Sequence, residues 1–331
     1  QVQATMLQTI GRVYAELGLY QEAEELLRRA LEISERTSDA DELGLASSLD
    51  ELASLYTRLD RDAEAEPLAR RALAIRERLQ GTGHPDLAKS LNSLGIALQH
   101  LDRLEEAQLV HERALRIREQ ALGPDDQELA SSLHNLAIVH YFMNNYAEAE
   151  KLYRQSAEIE ARTQGTENHQ YATSLHTLAI LCQDQGRLDE ALQLERESLA
   201  IRERVLGADH YHVALSLTTL GNIFTKLDRM DEAELPLRRA LAIAEQSIGP
   251  DHGETLWMRR SLARALIALE KYDEAENLLM QSVDYLEKTN EEDGLPLNLN
   301  ALGLIQHRRG DLDQAEAIYL RSVEIVRRVG D

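Results

Sequence analysis

Cysteine is almost missing from this chain: Cys182 is the single example in 331 residues. One thiol excludes an internal disulfide framework and any zinc site built on several cysteines, and it suits a reducing, cytoplasmic setting. Aromatic residues are scarce, with one Trp, two Phe and 11 Tyr, and the breakers amount to 6 Pro and 17 Gly. Against abundant Ala, Leu, Glu and Arg, this scarcity favours helix, because Ala and straight-chain residues lose little conformational freedom on entering one. No apolar run approaches the roughly 20 residues of a membrane-spanning helix. The opening QVQATMLQTIGRVY lacks the basic-then-apolar order of a signal peptide. Positive charge is in deficit: 36 Lys and Arg face 58 Asp and Glu, a formal net charge of −22. Such a surface repels phosphate, so neither nucleic acid nor a membrane is an expected partner.

What the sequence does have is a repeat. The stretch YQEAEELLRRALEI around Ala23 returns around Ala65, Ala107, Ala149, Ala191, Ala233 and Ala275, each 42 residues after the last. An eighth copy centres on Ala315, 40 residues on. Sixteen residues before the alanine stands Leu in seven copies, from Leu7 and Leu49 to Leu299, with Arg259 the exception. Three positions later comes Ile10 or a leucine, and next a small residue: Gly11, Ala53, Gly95, Ala137, Ala179, Gly221, Ala263 or Gly303. Self-similarity at a fixed period marks stacked supersecondary units. Apolar residues at i, i+3 and i+7 make the first part of each unit a helix. A polar turn such as LDRD or MNNY follows, then a longer helix through the alanine. Small residues at the special sites let the helix axes approach closely. Glu early and Arg late in the second helix match its dipole and put much of the charge on a solvated outer face. The units run approximately over 4–36, 46–80, 88–122, 130–164, 172–206, 214–248, 256–290 and 296–330. One domain over 1–331 is expected, read as a segment of a longer protein because it opens directly in a helical pattern without Met.

A two-helix unit with Leu, then Leu-Gly/Ala, then Ala and Ala/Ser resembles the tetratricopeptide repeat. The 42-residue length, the LGPDH-type loop and the L-x-x-L-A core are similar to the kinesin light chain class of that repeat. The loop HP pair survives only at His84-Pro85, and the paired asparagines of the LNNLA motif are reduced to one or none. The resemblance implies an all-α, right-handed superhelical solenoid of eight helix-turn-helix repeats, whose first helices line a concave groove. It also implies a protein-binding scaffold or adaptor that is not an enzyme and needs no cofactor.

Chemistry-bearing residues fit that reading. In SSLHNLAIVHYFMNNYAEAE, residues 131–150, His134 and His140 are six apart, on nearly opposite helix faces, and cannot chelate one ion. His140 shares its repeat position with Tyr14, Tyr56, Leu98, Cys182, Phe224 and Leu266, a packing site. His84, His210 and His252 recur at one loop position as turn formers, and the neighbours His210 and His212 lack a third ligand. No phosphate-binding GxxxxGK[ST] loop and no GxSxG elbow occurs. No catalytic residue and no metal site is expected.

Transferring the family's groove pattern places Lys89 and Asn92 on the wall in the third repeat, and His134, Asn135, Ile138, Tyr141 and Phe142 in the fourth. His176 and Thr177 follow in the fifth, Thr218, Asn222 and Lys226 in the sixth, Trp257, Arg260 and Arg264 in the seventh, and Asn300 in the eighth. Aromatics and Arg beside amides are the usual composition of a recognition surface. Wall charge inverts that of the whole: Arg12, Arg58, Lys89, Lys226, Arg260, Arg264 and Arg308 oppose Glu16, Asp50, Glu51 and Asp184. By the resemblance, Asn92, Asn135 and Asn300 hold an extended peptide by its backbone, since an amide both donates and accepts. Repeats three to six are therefore expected to bind an extended, somewhat acidic protein segment with an aromatic or aliphatic anchor. The competing expectation is a structural or regulatory arm of a multidomain protein, attached to a caspase-like protease, kinase or nucleotide-switch domain. Such an arm would mediate intramolecular contacts or oligomerisation.

Overall fold

Helices alternate with tight turns throughout the computed structural model, which describes residues 2–37, 41–292 and 294–329 and, of these, not the side chains of Glu16 and Val329. Glu16 thereby leaves the wall's charge comparison. The chain divides into two compact units, residues 1–166 and 167–331. The first contains α1 (Val2–Glu16), α2 (Tyr20–Arg36), α3 (Glu42–Arg58), α4 (Asp62–Gln80), α5 (Leu87–His100), α6 (Leu104–Ala121), α7 (Gln127–Phe142) and α8 (Tyr146–Gln164). The second contains α9 (His169–Asp184), α10 (Leu188–Leu206), α11 (Tyr211–Lys226), α12 (Met230–Ser247), α13 (Gly253–Ala268), α14 (Tyr272–Thr289), α15 (Leu295–Arg309) and α16 (Leu312–Val329). Each unit is a stack of four helical hairpins, an all-α repeat array without strands among the described residues.

The hairpins close by one device. The turn residue takes a left-handed backbone, at Gly18, Asp60, Asp102 and Asn144 in the first unit and at Gly186, Asp228, Glu270 and Gly310 in the second. The amide after it then reaches back to the carbonyl five residues earlier: Arg61 N to Tyr56 O at 2.9 Å, Asn145 N to His140 O at 2.8 Å, Arg187 N to Cys182 O at 2.8 Å. This satisfies a carbonyl that the helix end would otherwise leave unpaired. His140 and Cys182 are buried at this seam, as their repeat position implies. The loop histidines form turns: Nδ1 of His84, His210 and His252 accepts from the backbone N–H two residues on, at 3.2, 3.1 and 3.2 Å.

Between hairpins runs a polar staple. Arg76, Arg118 and Arg202, buried at one repeat position, donate to Ser90, Ser132 and Ser216 of the following helix at 2.7, 2.6 and 2.9 Å. In the first repeat Ser34 and Ser48 meet in the same place at 2.7 Å. Arg202, 1% exposed, also donates to His212 O at 3.1 Å. Burial lowers the Arg118 and Arg202 pKa values, a sign that these charges sit in a dry seam. One expected core position differs: Ile10, equivalent to the buried Leu52 and Leu94, is 41% exposed. Its counterparts are covered by the preceding hairpin, and no described helix lies on that side of α1.

Candidate functional site

In the first unit the helices expected to form the wall are α1, α3, α5 and α7. Asn92 and Asn135, half-buried, bond to each other, Asn135 Nδ2 donating to Asn92 Oδ1. Each amide keeps a further polar group, so together they present a continuous amide edge. Ile138 is half-buried beside them, and Phe142, 53% exposed, meets half-buried Tyr141 edge-to-face at 5.4 Å. His134 packs edge-on to Tyr153 at 5.2 Å, and burial pushes its pKa down to about 4, so it is a neutral ring at physiological pH. Lys89 is exposed but neutralised by Glu51 Oε1 at 2.7 Å. Asp50, expected on the wall, is instead fully buried and ion-paired with Arg76.

In the second unit the helices expected to form the wall are α9, α11, α13 and α15, and two of the residues expected on it turn inward. His176 is buried, its Nδ1 3.0 Å from both oxygens of fully buried Glu195 on α10. Thr218 is buried with Oγ1 returning to Ala214 O at 2.8 Å. Both occupy the repeat position that faces the second helix of the same hairpin, where a short or hydrogen-bonding side chain is drawn in. Thr177 is half-buried and bonds to its own helix at Thr173 O and Ser174 O. Asn222 is half-buried, and exposed Lys226 reaches Asp184 Oδ1 and Gln183 O, both at 3.3 Å.

The remaining wall cations behave differently: Arg12 and Arg58 in the first unit are exposed without an ion pair among the described residues, and the wall arginines of the second unit lack one too. Arg264 and Arg308 are exposed, Arg260 is half-buried, and none has an ion pair among the described residues. Many other arginines are taken up by carboxylates, as where Arg103 meets Glu66 and Glu106, or Arg239 meets Glu203. Burial, and then the neighbouring Arg264 charge, lower the Arg260 pKa. A like-charged pair one helical turn apart, partly stripped of water, is an unrelieved repulsion. Arg264 and Arg308 line a cleft of about 510 Å³ together with Asn300, Leu297, Leu304, Tyr272 and Glu270. Trp257 and Arg260 line the adjoining cleft of about 950 Å³, with Glu291 and Glu292 opposite. Glu292 is already paired with Arg328.

Sequence reading missed three features. Four residues after the repeat alanine, where Leu27, Leu237 and Leu279 stand, the chain has His111 and Glu195, both buried. Departure from an apolar repeat position was the signal. His169, His210 and His212 form a ring cluster with centroid separations of 4.4 Å (His169–His212) and 5.3 Å (His210–His212). The third is the group Asp60, Asp62 and His100.

The tetratricopeptide repeat model matches residues 2–78, 51–120, 86–160, 128–204, 170–246 and 212–288, and a second model of that repeat matches 299–331. The chain belongs to the tetratricopeptide repeat family. Its repeats are of the kinesin light chain-like class, a protein-interaction scaffold that is typically non-enzymatic. Among solved structures, BtubC (BKLC) from P. vanneervenii is 22% identical with a TM-score of 0.58, over 70% of this chain and 92% of that one. Repeats from Podosopora anserina, described as kinesin light chain nearly identical TPR-like repeats, are 26% identical with a TM-score of 0.52, over 60% and 95%. A Rap protein complexed with Competence and Sporulation Factor is 16% identical with a TM-score of 0.58, over 100% and 99%. Among curated protein sequences no relative matches. No described helix is long and apolar enough to cross a membrane.

Proposed function

We propose that the second unit holds an extended acidic peptide along α13 and α15. The observation that carries this reading is that Arg264 and Arg308, neither of them ion-paired among the described residues, line one cleft beside the cleft that Arg260 lines, in a chain of net charge −22. A peptide carboxylate between Arg264 and Arg308 gains charge-assisted hydrogen bonds from both. Leu297 and Leu304, 52% and 36% exposed, form the apolar floor for an aliphatic or aromatic anchor. The Asn300 amide pairs with peptide groups of any sequence, while the flanking pockets read side chains. Asn92 and Asn135 offer a similar edge in the first unit, where Tyr141 and Phe142 supply the apolar contact. There Lys89 is already neutralised, so a less acidic segment fits.

The test is fluorescence anisotropy with a short labelled peptide alternating Glu with Leu or Trp, compared with its Lys-for-Glu counterpart. Arg264→Glu with Arg308→Glu should weaken the acidic peptide at least about tenfold, roughly 1.4 kcal/mol, and flatten its salt dependence. Equal affinity for both peptides, or for wild type and the reversed variant, would sink the reading.

A further inference from the structure

One turn breaks the repeat pattern at a single residue. Three positions before the repeat alanine, seven copies carry a large apolar side chain: Tyr20, Leu104, Tyr146, Leu188, Met230, Tyr272 and Leu312. The second copy carries Asp62, and it is 6% exposed at the start of α4. Its Oδ2 lies 3.1 Å from His100 Nδ1 at the end of α5, and its buried Oδ1 has no hydrogen-bond partner. Leaving a buried acceptor unsatisfied costs about 1–3 kcal/mol, more when it is charged. Asp60, in the left-handed turn position with φ 55°, supplies a third donor. One ligand atom each from Asp60, Asp62 and His100 all lie within 4.8 Å of one another.

We infer that Asp60, Asp62 and His100 form a binding site for one divalent first-row transition ion, which clamps the second hairpin to the third. Two carboxylates and an imidazole are a donor set for zinc or its neighbours. Magnesium and calcium take oxygen ligands instead. Metal–donor distances of about 2.0–2.2 Å put donors roughly 3–4 Å apart around the ion. Asp60 and His100, both exposed, therefore close on the buried Asp62 by small side-chain rotations. The solvent side stays open to water, which completes the coordination. A dication answers the orphaned Oδ1, which neither a turn nor a packing role explains. This site is independent of the peptide wall in the second unit.

The experiment uses the full chain, stripped with chelator, with zinc chloride as probe and magnesium chloride as control, followed by calorimetric titration and thermal unfolding. Zinc should bind at one ion per chain and raise Tm progressively with concentration, while magnesium does neither. Asp62→Leu restores the apolar residue of the other copies and so folds. It should abolish the zinc effect, and His100→Ala should weaken binding at least about tenfold. Absence of a zinc-dependent rise in wild type overturns the inference and leaves Asp62 and His100 a hydrogen-bonded pair. An equal rise in Asp62→Leu also overturns it, and assigns the zinc to other histidines.

Discussion

Asp50→Ala should be among the most destabilising single changes in this chain, lowering the stability of the first unit by about 3–5 kcal/mol. Asp50 is 0% exposed and Arg76 6%. Arg76 Nη1 binds both Asp50 Oδ2 and Ser90 Oγ, and Ser90 Oγ donates to the same carboxylate at 3.0 Å. Burial raises the Asp50 pKa, and the Arg76 charge pulls it back. Taking the carboxylate away strands a largely buried guanidinium in the seam between hairpins without its counter-charge. The double variant Asp50→Leu with Arg76→Met removes both charges and fills the space. It should recover most of the loss, because a buried ion pair rarely outperforms well-packed apolar groups of similar volume. Urea unfolding of Asp50→Leu, of Arg76→Met and of the double variant completes a double-mutant cycle. A double variant as unstable as Asp50→Ala would show that the pair is not the reason for the loss.

The second large effect is acid lability centred on His111. It is 1% exposed, and neither ring nitrogen has a hydrogen-bond partner. Burial, reinforced by the Arg118 charge, pushes its pKa down to about 4 from an ordinary value of 6.5. The unfolded chain therefore takes up the proton first as pH falls. Stability is fully present above pH ~6.5 and is lost progressively toward pH ~4, about 3 kcal/mol for a shift of this size. His134 in the first unit, and His169 and His212 in the second, are lowered in the same sense, so both units lose stability on acidification. His111→Leu places at this position the residue that Leu27, Leu237 and Leu279 provide elsewhere. It should match or exceed wild type at neutral pH and exceed it by about 2–3 kcal/mol near pH 4.5. Denaturant midpoints across that pH range check this, and parallel acid limbs for the two proteins would refute it.

Legibility in the sequence followed the repeat. His140 and Cys182 were placed at the packing seam because their columns also hold Tyr56, Leu98 and Phe224. The loop histidines fall in turns because they recur: Nδ1 of His210 and His252 caps the following helix, and Nδ1 of His84 accepts from Asp86 N within the loop. The wall was less legible. His176 and Thr218 share the column that also holds Asn92, His134, Arg260 and Asn300. Side chains in that column point inward or outward according to the residue that faces them from the second helix. Glu195 draws His176 in, whereas Tyr153 only flanks His134.

By itself, then, the sequence determined the helices, their turns and the register of the eight repeats, because periodicity is written along the chain and each repeat follows the same local physics. Tertiary structure alone decided which wall charges are spent and which are free. Lys89 and Lys226 find carboxylates on the preceding hairpin, and Arg260, Arg264 and Arg308 find none among the described residues. It also decided that Asp62 meets His100, 38 residues away, across a helix start and a helix end. Ion pairing and ligand convergence are set by distances between elements, and no one-dimensional spacing encodes them.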